Sequence, residues 1–170
     1  SLGLCAVALA LVLIEPAAAS SGIPGLVAFL NGVMPKGGKS PITGKETSFI
    51  SWQTMLSKLI GMLCSIPSGL AIGPEGPIIH ICALMGHWVT VLCQRVEQKM
   101  FPGYYFTTDS TETRDFLATG AACGICVAFK APLAGVMFVV EEASSFFTNR
   151  HLEYTFFACI VAYWAAKSIY

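Results

Sequence analysis

Gly73-Pro74-Glu75-Gly76-Pro77-Ile78-Ile79-His80 sets one carboxylate among glycines and prolines between two long apolar segments. Glycine permits close backbone approach, and proline suits a first helical turn, where its missing N–H would be unpaired in any case. The stretch therefore reads as a helix start. The free N–H groups after Pro77 are expected to make that turn an anion site. Glu75 carries the charge of an anionic ligand, so it can occupy the helix start itself or yield it to a solute anion.

The surroundings are those of a membrane protein. The 170 residues are 55% hydrophobic and 12% charged, with a formal net charge of zero and a mean hydropathy of +0.67. A soluble domain carries about 25% charged residues. Charge balance gives no basic face for nucleic acid. The chain opens at Ser1 and closes at Tyr170 inside apolar runs, and it reads as an internal piece of a longer protein.

Upstream, Leu2–Ile14 reads as the tail of a membrane helix closed by Glu15-Pro16. Ser20-Ser21-Gly22-Ile23-Pro24 then opens a short helix, Ile23–Leu30, which ends at Asn31-Gly32. Serine followed by proline is a helix-start signal. The helix is too short to cross a core that needs ~20 residues. The serines are either plain N-caps or a hydroxyl and backbone N–H groups offered to an anion. Met34–Thr47 is a polar, solvated loop. Gly37-Gly38-Lys39-Ser40 within it fails the phosphate-loop pattern, because Val33 stands where that pattern needs glycine. Phe49–Ile72 is long enough to span, with a kink expected at Pro67 and small residues (Gly61, Ser65, Ser68, Gly69, Gly73) suited to close packing.

Downstream, Gly76–Cys93 is apolar and Gln94–Asp115 polar. His80 and His87 share a helical face and read as packed or water-facing rather than as metal ligands, and no metal site is expected. Of the seven cysteines, Cys123 and Cys126 form a C-x-x-C among small apolar residues, which fits helix packing better than metal or redox chemistry. Phe116–Val140 is apolar but broken, with Gly120, Gly124 and Gly135 for backbone approach and a new helix expected from Ala131-Pro132 to Glu141-Glu142. Adjacent helical positions point about 100° apart, so one acid can face water while the other faces the interior as a candidate proton carrier. Tyr154–Tyr170 begins another apolar segment. The fold class expected is all-α: a polytopic membrane protein of short, tilted, discontinuous helices whose N-termini hold an anion.

Three blocks carry a resemblance. Ser20-Ser21-Gly22-Ile23-Pro24 resembles the G-S-G-I-P motif of the CLC chloride channel and chloride/proton exchanger family, and Gly73-Pro74-Glu75-Gly76-Pro77 resembles its G-[KR]-E-G-P motif. Gly120–Gly124, Ala128–Phe138 and Glu141-Glu142 are similar to its third block. The resemblance covers essentially the whole chain and implies part of the first of two inverted repeats of a CLC-type transmembrane domain. The second half and any cytoplasmic nucleotide-binding-type domains are not in these 170 residues.

The resemblance also implies roles. Ser21 would contact the central anion, with Gly22, Ile23 and Pro24 completing its helix start, and Gly73, Pro74, Gly76 and Pro77 would form the second anion-holding start. Glu75 would be the gating glutamate, blocking the outer anion position when ionised and leaving it when protonated. Glu142 would be the internal proton glutamate of exchangers, which channel members commonly lack. The implied function is chloride/proton antiport, with no cofactor beyond the transported chloride and protons. The implied setting is a lipid membrane, endosomal, lysosomal or vacuolar, or alternatively plasma membrane, with a homodimer as the working form. A passive chloride channel and a non-transporting membrane interaction subunit are the alternatives. Enzyme chemistry would rest on Ser21 with His80 or His87 alone, and the chain is not expected to be an enzyme. Three departures from the family pattern stand out: Ser20 for the first glycine, Pro74 for the usual Lys or Arg, and Lys130 where many members are neutral.

Overall fold

The computed structural model describes residues 2–33, 35, 38–42, 44, 46–100, 110–143 and 149–169. Phe101-Pro102-Gly103, where the sequence suggests a turn, Lys36, Gly37 and Lys45 of the polar loop, and the side chain of Glu142 lie outside the described residues. Seven α-helices follow in order: α1 Leu2–Ile14, α2 Ile23–Leu30, α3 Trp52–Ser65, α4 Glu75–Met100, α5 Ser110–Phe129, α6 Pro132–Phe138 and α7 Asn149–Ile169. A 3₁₀ turn, Pro16–Ala18, follows α1, and a π-helical turn, Val139–Ala143, extends α6. The described residues contain no strand, only an isolated antiparallel bridge between Lys39 and Glu46. The chain divides within α4 into two compact units, residues 1–81 and 82–170.

In the first unit α1 packs on α3. Ser51 caps α3 by accepting the Thr54 N–H at 3.1 Å, a stabilising use of an otherwise orphan donor. The helix runs 14 residues, about 21 Å at 1.5 Å per residue, so Phe49–Ile72 does not form the spanning helix expected. Pro67 ends it rather than kinking it: Ile66 is the C-cap, Gly69 takes φ +88°, and the Ile72 N–H bonds back to the Leu70 carbonyl at 2.8 Å in a tight turn. A proline and a left-handed glycine just past the last turn together stop a helix. Gly61 has nothing within 4 Å of an added Cβ, and neither has Gly69, so neither is a packing contact in this chain. The polar loop is docked rather than free. Ser40 donates to the Leu13 carbonyl at 3.0 Å and Thr47 to the Gly38 carbonyl at 2.7 Å, and both residues are buried.

In the second unit α5, α6 and α7 pack together. Gly86 of α4 lies against the Phe116 carbonyl, and Gly120 of α5 against the Cys82 carbonyl. Gly135 of α6 sits on α5, its added Cβ falling 3.1 Å from the Ala122 carbonyl carbon and 3.3 Å from Cys159 Sγ. Gly120 and Gly135 thus permit the backbone approach expected of them. Cys126 is fully buried and its thiol donates to the Cys159 carbonyl at 3.2 Å, which joins α5 to α7. The same two helices are clamped further along by His151, whose Nε2 lies 3.0 Å from both the Asp115 carbonyl and Thr119 Oγ1. A Cβ at Gly120 would stand 3.1 Å from Ala83 Cα and strike the Cys82 carbonyl, both backbone atoms that cannot swing aside. Gly120→Val is expected to cost about 3 kcal/mol, at the upper end of overpacking penalties, read as a lowered unfolding temperature of the full-length protein.

α4 has 26 residues and is the one helix, among the described residues, long and apolar enough to cross a membrane. It continues to Met100, through Gln94, Arg95, Glu97 and Lys99, so the first part of the expected polar stretch is helical. Large apolar side chains are exposed on several helices, among them Leu9 of α1, Leu63 of α3, and Phe157 and Trp164 of α7. Such faces suit lipid or further protein rather than water.

Candidate functional site

The expected helix Ile23–Leu30 is α2, bound for bound. Its N-cap is Gly22, in left-handed conformation with φ 89°, and no side chain caps it. Ser21 is therefore not the plain N-cap that one reading of the sequence allowed; it lies one residue earlier and is exposed. Leu26 N–H bonds to the Gly22 carbonyl at 2.9 Å. Pro24 has no N–H, so the first turn keeps two donors without an intrahelical acceptor, on Ile23 and Gly25.

The second start is built the same way. α4 begins at Glu75 itself, and Ile78 N–H is already satisfied by the Pro74 carbonyl at 3.0 Å. The open donors are therefore those of Glu75 and Gly76, not those after Pro77. Pro77 lies inside the first turn and contributes no N–H. The Glu75 side chain is exposed and turns back on the preceding turn, with Oε2 where a Cβ on Gly73 would be. A Cβ on Gly73 would push this carboxylate aside.

The two starts meet. A Cβ built on Gly76 would lie 2.8 Å from Ser21 Cβ and 3.4 Å from Ser21 Cα. Residues 55 positions apart in sequence are in backbone contact because one of them is glycine. Gly22 abuts the His80 ring, and a Cβ on Gly25 would lie 2.6 Å from the Phe49 ring. Phe49 stacks on His80 at a centroid distance of 4.2 Å and an interplanar angle of 20°. The Phe49–His80 stack lies against Gly22 and Gly25 and forms the floor of the α2 start.

Sequence reasoning missed the polar groups under this floor. His80 is fully buried, and its Nδ1 lies 2.6 Å from Nζ of Lys58, which is 3% exposed. Glu15 is also buried, with Oε1 accepting from the Thr54 hydroxyl at 2.9 Å. Thr54 and Lys58 are four apart on α3, on one face. That spacing was the available signal, masked by its place on the early, polar-looking turns of the segment.

Glu142 lies in the second unit, in the π-helical turn Val139–Ala143 that follows α6. α6 begins at Pro132 after Lys130, a non-glycine residue with φ 54°, and Ala131. Pro132 starting a helix that reaches the two acids matches the expectation. Single π turns inside α-helices occur often at functional positions.

Two helix starts built from Gly and Pro thus come together, with the Glu75 carboxylate beside them. Residues 2–170 match the family model described as voltage gated chloride channel. The chain is 35% identical over 148 residues to chloride channel protein C of Dictyostelium discoideum, covering 86% of this chain and 18% of that protein. It is 35% identical over 149 residues to the human H(+)/Cl(-) exchange transporter 7, covering 88% and 17%. To chloride channel protein CLC-c of Arabidopsis thaliana it is 31% identical over 156 residues, covering 92% and 19%. The chain belongs to the voltage-gated chloride channel family, a family of helical membrane proteins, and spans less than a fifth of the length of these relatives.

Proposed function

We propose that the full-length protein exchanges chloride for protons across a membrane, and that residues 21–24 and 73–77 form its anion site. The observation that carries this reading is the contact of Ser21 with Gly76, which joins two helix starts beside the Glu75 carboxylate. Each start has a partial positive charge and two open N–H donors. The Ser21 hydroxyl, exposed at the junction, is a further donor to an anion there. Glu75 competes for the same partial charge when ionised and vacates it when it takes a proton, which couples anion entry to proton loading. Glu142 is the group that passes the proton onward. The human exchange transporter 7 among the relatives and the presence of two acids, Glu75 and Glu142, favour exchange over passive conduction. The same two-acid pattern is the ground for placing it in an endosomal, lysosomal or vacuolar membrane.

The test is reconstitution of the full-length protein in liposomes with chloride and proton fluxes recorded together. Wild type is expected to move protons against a chloride gradient in fixed proportion. Glu142→Val is expected to reduce proton flux to background while chloride still flows. Chloride current with no proton movement in the wild type makes it a channel instead, and no chloride flux at all sinks the reading.

A further inference from the structure

α5 and α7 run side by side in the same direction. His151, near the start of α7, touches Asp115 and Thr119 near the start of α5, and Cys126 meets the Cys159 carbonyl further along. Lys130, just past α5, then shares a cavity with Lys167 in the last turn of α7. The two C-terminal ends therefore lie at one level. The cavity between them has a volume of about 240 Å³ and is lined by Cys126, Val127, Lys130, Tyr163, Ala166 and Lys167. Among the described residues lining it none is acidic. The helix ends bring about half a negative charge each, and two ammonium groups outweigh them. Lys130 is also the one non-glycine residue, among those described, with a positive φ. Glycine or asparagine takes that conformation more readily at a helix end. Packing does not call for lysine there, because its side chain is exposed. A residue held in a disfavoured conformation without a packing reason directs attention to its chemistry, here its charge. Tyr163 and Trp164 stand one turn before Lys167, and Trp164 and Phe129 are exposed. Aromatic rings beside a cation at a helix end mark the membrane–water interface, the level of lipid headgroups.

We propose that this cavity binds the phosphate of an anionic membrane phospholipid, with Lys130 and Lys167 donating to the phosphate oxygens. The acyl chains lie along the exposed side chains of Phe129, Ile160 and Trp164. An ammonium has donors only, which matches a group that has acceptors only. The cavity is smaller than the ~300–1,000 Å³ of sites that enclose a whole ligand, and this fits a headgroup whose tails stay in the bilayer. A free phosphate lacks the tails and forfeits the apolar contacts. Lipid binding here is independent of how residues 21–24 and 73–77 act.

The experiment uses the full-length protein in dodecyl maltoside, a neutral detergent. Phosphatidylglycerol or phosphatidylcholine with the same acyl chains is added. Bound phospholipid is counted by native mass spectrometry, and the unfolding temperature is followed in parallel. Wild type is expected to retain phosphatidylglycerol in preference to phosphatidylcholine, and to be raised in unfolding temperature by it through mass action. Lys130→Asn with Lys167→Gln is expected to bind phosphatidylglycerol about tenfold or more weakly, the scale of a lost charge-assisted contact. Asparagine suits the left-handed position, so this variant keeps the fold. Lys130→Arg with Lys167→Arg retains the preference. Lys99→Gln, which removes a cation from the end of α4, responds as wild type does. Glycerol phosphate at the same concentration gives no shift. Wild type that treats the two lipids alike overturns the proposal, and is the result expected if another part of the chain covers the cavity. Wild-type affinity in the Asn/Gln variant overturns it too, as does glycerol phosphate that matches the lipid. If the double variant does not fold, unchanged affinity in Lys167→Gln alone, at an exposed position, overturns it equally.

Discussion

Glu75→Gln in the full-length protein is expected to abolish chloride-driven proton movement while chloride flux persists. The substitution keeps shape and removes both properties that matter. An amide cannot carry the proton, and it has no charge with which to compete for the α4 start. The side chain lies folded over Gly73 at the first position of the helix and is exposed, so the change disturbs no packed neighbour. Loss of an acid from a first helical turn costs about 0.3–1 kcal/mol, too little to unfold the protein. Simultaneous chloride and pH recordings on proteoliposomes check the result. Proton movement still driven by a chloride gradient in this variant would remove Glu75 from the mechanism.

The second large effect belongs to Gly22. Its φ of 89° is in the left-handed region, which costs an L-residue about 1–2 kcal/mol. A Cβ there would also stand 2.5 Å from His80 Cγ and 2.7 Å from His80 Cβ. The ring has no room to give, since it is fully buried, stacked on Phe49 and bonded to Lys58. Overpacking of a site that cannot relax adds about 1–3 kcal/mol. Gly22→Ala is therefore expected to lose about 2–5 kcal/mol in total and, with it, the junction of Ser21 and Gly76 on which the proposed anion site depends. Gly61→Ala is the control, since nothing lies within 4 Å of its added Cβ and helix propensity favours alanine. Equal unfolding temperatures and chloride affinities in Gly22→Ala and wild type would show that the α2 start is not held by this contact.

How much of this was legible follows from where the information lies. Helix α2 was readable to the residue because its punctuation is local: Gly22, Pro24, then Asn31-Gly32. The start of α4 was readable in place, but its open donors were not: they lie on Glu75 and Gly76 rather than after Pro77. The Pro74 carbonyl accepts from the first N–H after Pro77, that of Ile78, a choice that no spacing rule makes. Pro67 was read as a kink because the apolar run continues past it, whereas the left-handed Gly69 turns the chain out. Residues 94–99 read from sequence only as the start of a polar stretch, yet a helix already begun continues at little cost per residue. The floor of the site was beyond reach from sequence. Phe49, Lys58 and His80 lie on different segments, and only packing puts a neutral base against a cation and a ring against Gly22.

Pro24 and Pro77 each remove one N–H from a first turn that already has few to offer. Ile23, Gly25, Glu75 and Gly76 are the backbone donors that remain. In the proposed anion site an ion held by so small a set sits in a shallow well and exchanges quickly, because few bonds must be broken before it leaves. A third donor at each start would lengthen the ion's residence and slow the cycle. The two prolines therefore bear on throughput: they keep the resting place from becoming a trap.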